Sequence, residues 1–316
     1  MQSASGHARA LSPASEHPIA PLFAREDAVR RGPAYRFYFR RSGAEIRIRA
    51  TDGKDVMDIP VEWAFGAGKQ AVTFVTRVNP EWYLEHYFSY YAAGARFAPT
   101  PGQADLKPST LPLAMGVLYQ TADPQSGIAG CFECHSTGPV SFGAERKIQP
   151  TELGVHCESC HGPGEAHRDA ASAGETGKSR NLIRNPRRLT AAEISRECGT
   201  CHRAPPPQGV TTDWSNAWNV RHQPIYLNQS ACFLKSRGEL SCLTCHDPHT
   251  DPRNGDSYYN EKCRSCHNQT RQPPARACGP ECIECHMPRV SPQAYLRFTN
   301  HWIGVYAGGS KLRPAR

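Results

Sequence analysis

Residues 241–249 read Ser241-Cys242-Leu243-Thr244-Cys245-His246-Asp247-Pro248-His249. The centre of this string, Cys-x-x-Cys-His, occurs five more times: at Cys131, Cys134 and His135; Cys157, Cys160 and His161; Cys198, Cys201 and His202; Cys263, Cys266 and His267; and Cys282, Cys285 and His286. A zinc ribbon or a dithiol redox site also uses Cys-x-x-Cys, but neither chemistry asks for histidine directly after the second cysteine. With 14 His among 316 residues, histidine after all six pairs has a chance probability on the order of 10⁻⁸. Covalent haem attachment explains the unit: two thioethers hold one edge of the porphyrin, and the adjacent imidazole meets the iron from one face. The pattern therefore predicts six covalently attached haem c groups.

The motif starts are 26, 41, 44, 21 and 19 residues apart. At roughly 26 residues per haem the polypeptide cannot wrap each group in its own pocket, so the macrocycles must form much of the core. Composition agrees. Only 39% of residues are hydrophobic and the mean hydropathy is −0.59, too little aliphatic material for two conventional cores. The longest apolar run, Leu111 to Tyr119, is far short of the ~18–20 residues of a spanning helix. Net charge is +8, but no nucleic-acid-binding module accompanies it. Each haem brings two propionates, so six would add up to about −12 and leave the loaded protein near about −4.

Eight histidines lie outside the motifs. His249 follows His246 by three residues across a Pro-stiffened turn that points it away from its own haem and toward a neighbour. His167 is placed similarly in Cys157-x-x-Cys160-His161-Gly162-Pro163-Gly164-Glu165-Ala166-His167. His301 stands in the tail after the last motif. His86 lies in Trp82-Tyr83-Leu84-Glu85-His86-Tyr87-Phe88, whose alternation puts it on a strand face with Leu84 and Phe88. It is either a ligand or a hydrogen-bonded core histidine. His156 and His222 are weaker candidates, and His7 and His17 belong to a segment that reads as a solvated arm. Bis-His ligation is the expectation, with His301, His86 and His222 joining His167 and His249 as distal ligands.

Cys232 and Cys278 remain outside the motifs, and in an oxidising compartment they are expected to form a disulfide. Residues 34–98 read as an antiparallel β-rich domain. Tyr35, Phe37 and Phe39 alternate with Arg36, Tyr38 and Arg40; a Ser42-Gly43 turn leads to Ile46 and Ile48; Val56–Val61, Gln70–Val78 and Trp82–Tyr91 continue the meander. The arginines look outward, as a solvated face, a docking surface or partners for propionates. Residues 99–120 read as a Pro/Gly-rich linker, 121–305 as the hexahaem domain and 306–316 as a tail. Thr190-Ala191-Ala192-Glu193 is a capping box for a helix that delivers Cys198. The fold class is thus α+β: a small β-meander, then short helices and irregular chain around haems.

The strings Cys157 to His167 (C-x-x-C-H-G-P-G-x-x-H), Ser241 to His249 (S-C-x-T-C-H-D-P-H) and Cys282 to Pro288 (C-x-x-C-H-M-P) resemble those of the multihaem c-type cytochromes with doubled C-x-x-C-H motifs, the group that includes the tetrahaem cytochrome of hydroxylamine oxidation. The resemblance covers about residues 120–305. It implies bis-His haems in stacked pairs, with His167 and His249 at positions used as distal ligands. It also implies electron transfer in the periplasm or at the cell exterior. Such proteins are exported before haem attachment, yet Met1 to His7 shows no basic and apolar leader; longer relatives carry a further motif upstream followed by a segment like Gly6 to Leu11, so the resemblance implies a start downstream of the true one and His7 as a distal ligand.

The leading function is a relay of single electrons between redox partner proteins, such as other cytochromes or a quinol-linked enzyme. A multihaem oxidoreductase of the nitrite or hydroxylamine type would instead need one haem with an open distal position beside acid/base groups, for which Arg221, His222 and Tyr226 are candidates. A self-associating subunit of a haem filament shares the relay chemistry.

Overall fold

A computed structural model of the chain describes residues 2–24, 28–121, 127–207, 210–252, 255–267 and 281–315. Helix accounts for 31% and strand for 27% of it, and the two are segregated along the chain, which is the α+β class. The chain forms two compact units, Met1–Ser159 and Cys160–Arg316.

The first unit is a pair of packed antiparallel sheets. Strands β1 (Leu11–Pro13), β2 (Val29–Arg31), β3 (Tyr35–Ser42), β4 (Glu45–Thr51), β5 (Val56–Pro60), β6 (Trp63–Phe65), β7 (Ala71–Asn79), β8 (Trp82–His86), β9 (Phe88–Tyr91), β10 (Arg96–Pro99) and β11 (Gly116–Gln120) build it. One sheet has the order β2-β3-β4-β5. The other runs β1-β6-β7-β8-β11, with β9 on β7 and β10 on β9. In β3 the alternation places Tyr35, Phe37 and Phe39 inside and Arg36 and Arg40 outside, as period-2 side-chain geometry requires. Phe37, Phe39, Ile46 and Ile48 meet Phe74, Leu84 and Phe88 of the second sheet in one core.

Two segments that read as arm and linker are part of this core. Phe23, from the N-terminal segment, is fully buried and makes edge-to-face contacts with Phe39, Phe74 and Phe97 at 5.6, 5.1 and 5.2 Å. Residues 106–114 are tied down by buried Arg31, whose guanidinium donates to the carbonyls of Leu106 (3.0 Å) and Ala114 (2.7 Å) and stacks on Tyr87 at 3.4 Å. The helix α1 (Leu111–Met115) and β11 follow directly. Gly116 joins them with φ +151; a Cβ there would stand 2.0 Å from the Glu85 carbonyl oxygen, so only glycine allows β11 to dock on β8. The opposite face of the larger sheet, with Phe65, Val75 and Tyr83, receives Phe132 of helix α2 (Ile128–His135). A hairpin of β12 (Ser136–Phe142) and β13 (Ile148–Leu153) completes the unit.

The second unit is helical and poor in apolar core. Its helices are α4 (Glu165–Ser172), α5 (Thr176–Ser179), α6 (Ala191–His202), α7 (Gln223–Leu227), α8 (Ala231–Lys235), α9 (Cys242–Cys245), α10 (Ser257–His267) and α11 (Cys282–His286), followed by the hairpin of β14 (Arg289–Gln293) and β15 (Leu296–Thr299). The five-residue helix α3 (Cys157–His161) precedes them in the chain. Of the 42 buried hydrophobic residues among those described, 32 lie in the first unit and ten in the second. The unit short of core is the one that holds four whole motifs and the second half of a fifth. One small cluster, Val220, Ile225, Tyr226 and Val290 with Trp214 and Trp302, anchors the hairpin. Among the described residues no helix is long and apolar enough to cross a membrane.

Candidate functional site

All six Cys-x-x-Cys-His strings are helical through both cysteines: in α2, in the helix Cys157–His161, at the end of α6, in α9, at the end of α10 and in α11. Helical spacing explains the use of x-x, because residues i and i+3 share a face and both thiols then point at one porphyrin edge. The capping box that starts α6 forms as expected: Glu193 N–H donates to Thr190 Oγ1 at 3.3 Å, and Thr190 N–H donates to Glu193 Oε2 at 2.7 Å. None of the thirteen described cysteines is in a disulfide. Burial raises the Cys131 thiol to about 11 and that of Cys263 to about 11 as well. Cys198 and Cys242, from different motifs, hydrogen-bond to one another, which raises the first thiol and lowers the second. Cys278 lies outside the described residues, and with it the expected pairing to Cys232.

The ring nitrogen that each histidine commits to the protein separates the histidines into two groups. A backbone carbonyl only accepts, so an imidazole nitrogen beside one must carry the proton, and the other nitrogen keeps the lone pair a metal needs. In the motifs, His135 donates through Nδ1 to Ala10 O (2.9 Å), His161 to Arg184 O (2.8 Å) and His286 to Gly304 O (2.9 Å). Outside the motifs, His167 donates through Nδ1 to Ser179 O (2.8 Å), His301 to Thr299 O (2.9 Å) and His249 to the Asp247 carboxylate (3.0 Å). All six have Nε2 as the lone-pair nitrogen, the arrangement usual for metal-bound imidazole.

Three other histidines use Nε2 themselves. His156 donates it to Leu153 O (2.9 Å). His17 donates it to Gly66 O (3.0 Å) while its Nδ1 accepts from Ile19 N–H (3.2 Å), and the ring is 4% exposed, so this segment is no solvated arm. His86 is buried with Nε2 2.8 Å from Thr76 Oγ1. That hydroxyl has one proton, directed to Pro60 O at 2.6 Å, so His86 Nε2 must donate. Of the two readings its strand position left open, this geometry fits the core histidine. His222 differs again: its Nε2 is buried without a hydrogen-bond partner, beside the similarly orphaned Gln223 Oε1 and Tyr226 hydroxyl. Burial, with Arg221 and Arg203 adding to it, pushes His222 down to about 4. His7 is exposed.

Two pairs of imidazoles from distant parts of the sequence meet in the second unit. His161 and His249 have ring centroids 6.0 Å apart, and His246 and His301 have centroids 6.2 Å apart. Two imidazoles bound through nitrogen to one metal, each at about 2 Å, hold their centroids about 6 Å apart. Burial first, then His246, pushes His301 down to about 4 and so keeps it neutral, the form that ligates.

These residues fit haem on several counts: the described thiols are unbridged, the three proximal histidines whose ring bonds are fixed (His135, His161 and His286) leave Nε2 for a metal, the imidazole pairs have metal-spanning separations, and His222 Nε2 is a buried donor atom with no protein partner. The charge fits as well. Residues 1–159 hold 16 Lys and Arg against 16 Asp and Glu, so the whole +8 excess lies in residues 160–316, where propionates would need countercharge.

Two functional side chains were not visible in sequence. Arg184 and Asn260 stand outside every motif yet bind motif backbone, as described below; neither has a sequence signal, because both act on partners distant in the chain.

Residues 112–162, which contain the first two motifs, match the family described as cytochrome c554 and c-prime. The multiheme cytochrome MtrA of Shewanella baltica (strain OS185) is 23% identical over 181 residues, which is 52% of this chain and 47% of the relative, so the chain spans about half of that relative's length. The structure of the outer cell wall cytochrome OcwA aligns with a TM-score of 0.43 and 12% identity over 96% of this chain and 76% of that one. The chain, with its six Cys-x-x-Cys-His helices, is thus similar over part of its length to multihaem c-type cytochromes.

Proposed function

We propose that this protein relays single electrons through six covalently bound haem c groups between external redox partners, outside the reducing cytoplasm. Haem c supplies one-electron chemistry when bound; the chain supplies attachment, axial ligation and fixed spacing. The observation that carries the reading is the pair of metal-spanning imidazole contacts. On it, His161 with His249, and His246 with His301, would be the residues that hold one haem iron each. His249 sits three residues after His246, so the two centres are joined by one Pro-stiffened turn. The Cys198–Cys242 contact adds the third motif to the same group. The remaining cysteines, Cys131, Cys134, Cys157, Cys160, Cys201, Cys245, Cys263, Cys266, Cys282 and Cys285, attach haem in the same way, with His135, His202, His267 and His286 as proximal ligands.

A second reading is favoured by the histidine sorting. With His17, His86 and His156 committed through Nε2, the distal candidates are His7, His167, His222, His249 and His301: five for six irons. One centre would then keep an open distal position, as an oxidoreductase of the nitrite or hydroxylamine type needs. Pyridine haemochrome analysis together with electron paramagnetic resonance of the oxidised protein tests both readings. Six haems with only low-spin signals support the pure relay; a high-spin signal of one haem per chain supports the open site. Protein from a maturation-competent host with no covalent haem overturns both.

A further inference from the structure

We infer that Arg184 is a positioning residue shared by two haem centres, those of the His161 and Cys198 motifs; the inference rests on the haem reading of both. Arg184 lies in irregular chain between α5 and α6. Its backbone N–H donates to His161 O at 3.1 Å, and its carbonyl accepts His161 Nδ1–H at 2.8 Å. This two-bond bridge fixes the plane and tautomer of the proximal ring.

The side chain reaches further. Nε and Nη2 donate to the Cys160 carbonyl at 3.1 and 2.6 Å, one of the carbonyls that a short helix leaves open at its C-terminal end. Nη1 donates to Glu197 Oε2 at 2.9 Å, and Nη2 also meets Glu197 Oε1. Glu197 directly precedes Cys198 on α6. One guanidinium therefore holds the backbone of one attachment site and the helix that carries the next. Only the planar fork of arginine can do both; lysine has a single ammonium point.

The charges give the clamp a redox consequence. Oxidised haem carries one more positive charge than reduced haem, so a nearby cation favours reduction and a nearby anion favours oxidation. Paired, Arg184 and Glu197 largely cancel. Removing one exposes the field of the other, and the two removals act in opposite directions.

The test uses full-length holoprotein of wild type, Glu197→Gln, Arg184→Gln, Arg184→Lys and the Arg184→Gln/Glu197→Gln double variant, with haem per chain counted first. In potentiometric titration, Glu197→Gln is expected to raise the midpoint of at least one haem and Arg184→Gln to lower it. Each shift should correspond to a several-fold change in the one-electron equilibrium, at most about tenfold or about 59 mV. The double variant should return toward wild type. Arg184→Gln and Arg184→Lys should both alter one set of low-spin resonance values, since ring orientation depends on the clamp. Should Arg184→Gln lose haem, Glu197→Gln, which keeps the contacts to Cys160 and His161, carries the test alone. Wild-type midpoints and resonances in fully loaded variants overturn the inference. Absence of covalent haem from wild type overturns it together with the functional reading.

Discussion

His86 donates its Nε2 proton to the Thr76 hydroxyl at 2.8 Å, and that hydroxyl passes its own proton to Pro60 O at 2.6 Å. The chain of bonds holds an imidazole inside the sheet-on-sheet core with its Nδ1 lone pair facing no donor. Burial pushes its pKa down to about 3 from the ordinary 6.5. The unfolded chain therefore binds a proton between those values that the folded chain refuses. His86 lets stability stand in full above about pH 6.5 and lowers it as pH falls toward 3, by up to about 1.4 kcal/mol per pH unit. Replacing His86 with Gln should flatten the acid limb of a denaturation-versus-pH curve and leave the haem spectra unchanged. Loss of a low-spin haem signal in that variant would instead make His86 a ligand.

The spacing of His246 and His301 leads to a sharper test. If the two share an iron, His301→Ala leaves the covalent haem count intact while one low-spin signal becomes high-spin, and added imidazole restores it. His249→Ala should do the same to a different haem, the one bound at His161. Unchanged resonance spectra in either variant would refute that pairing.

Asn260 joins the last two motifs. It is 1% exposed, its Nδ2 donates to Glu281 at 2.8 Å, and its Oδ1 accepts Ile283 N–H at 2.9 Å at the start of α11. Asn260→Ala leaves an amide without its partner at a helix start, which costs about 1–3 kcal/mol. Thermal denaturation of the holoprotein should register that loss, and Asn260→Asp, which keeps the acceptor for Ile283 but sets a second carboxylate against Glu281, should not recover it.

What could be read from the sequence was local. The haem strings were legible because attachment needs fixed spacing, and Tyr35, Phe37 and Phe39 because a strand buries every second residue. The Thr190–Glu193 box was legible because both partners lie within one turn. Phe23 and His17 were not: their segment has no periodicity, and its burial follows from contacts with Phe39, Phe74 and Gly66 that only the assembled sheets create. His86 was half legible, since alternation turned it inward but could not say that Thr76 would take its Nε2 proton. The shortage of apolar core was visible as composition. Its confinement to residues 160–316, along with the whole charge excess, follows from how the chain divides.

Arg31 shows how the first unit absorbs a stretch that its Pro and Gly content marks as a linker. The buried guanidinium serves the carbonyls of Leu106, Leu113 and Ala114 and lies 3.4 Å above the Tyr87 ring, so a full charge is held by carbonyl dipoles and a π face rather than by an acid. Arg31→Ala removes every donor at once and opens a gap beside Tyr87. With charge-assisted bonds at about 1.5–3 kcal/mol, a loss of about 3 kcal/mol is expected. Arg31→Lys keeps the charge but reaches fewer carbonyls, and should fall between the two. The loosened segment is residues 106–114, so limited proteolysis of Arg31→Ala should cut there first, with the haem count unchanged. A variant as resistant as wild type would mean that α1 and β11 hold this stretch without Arg31.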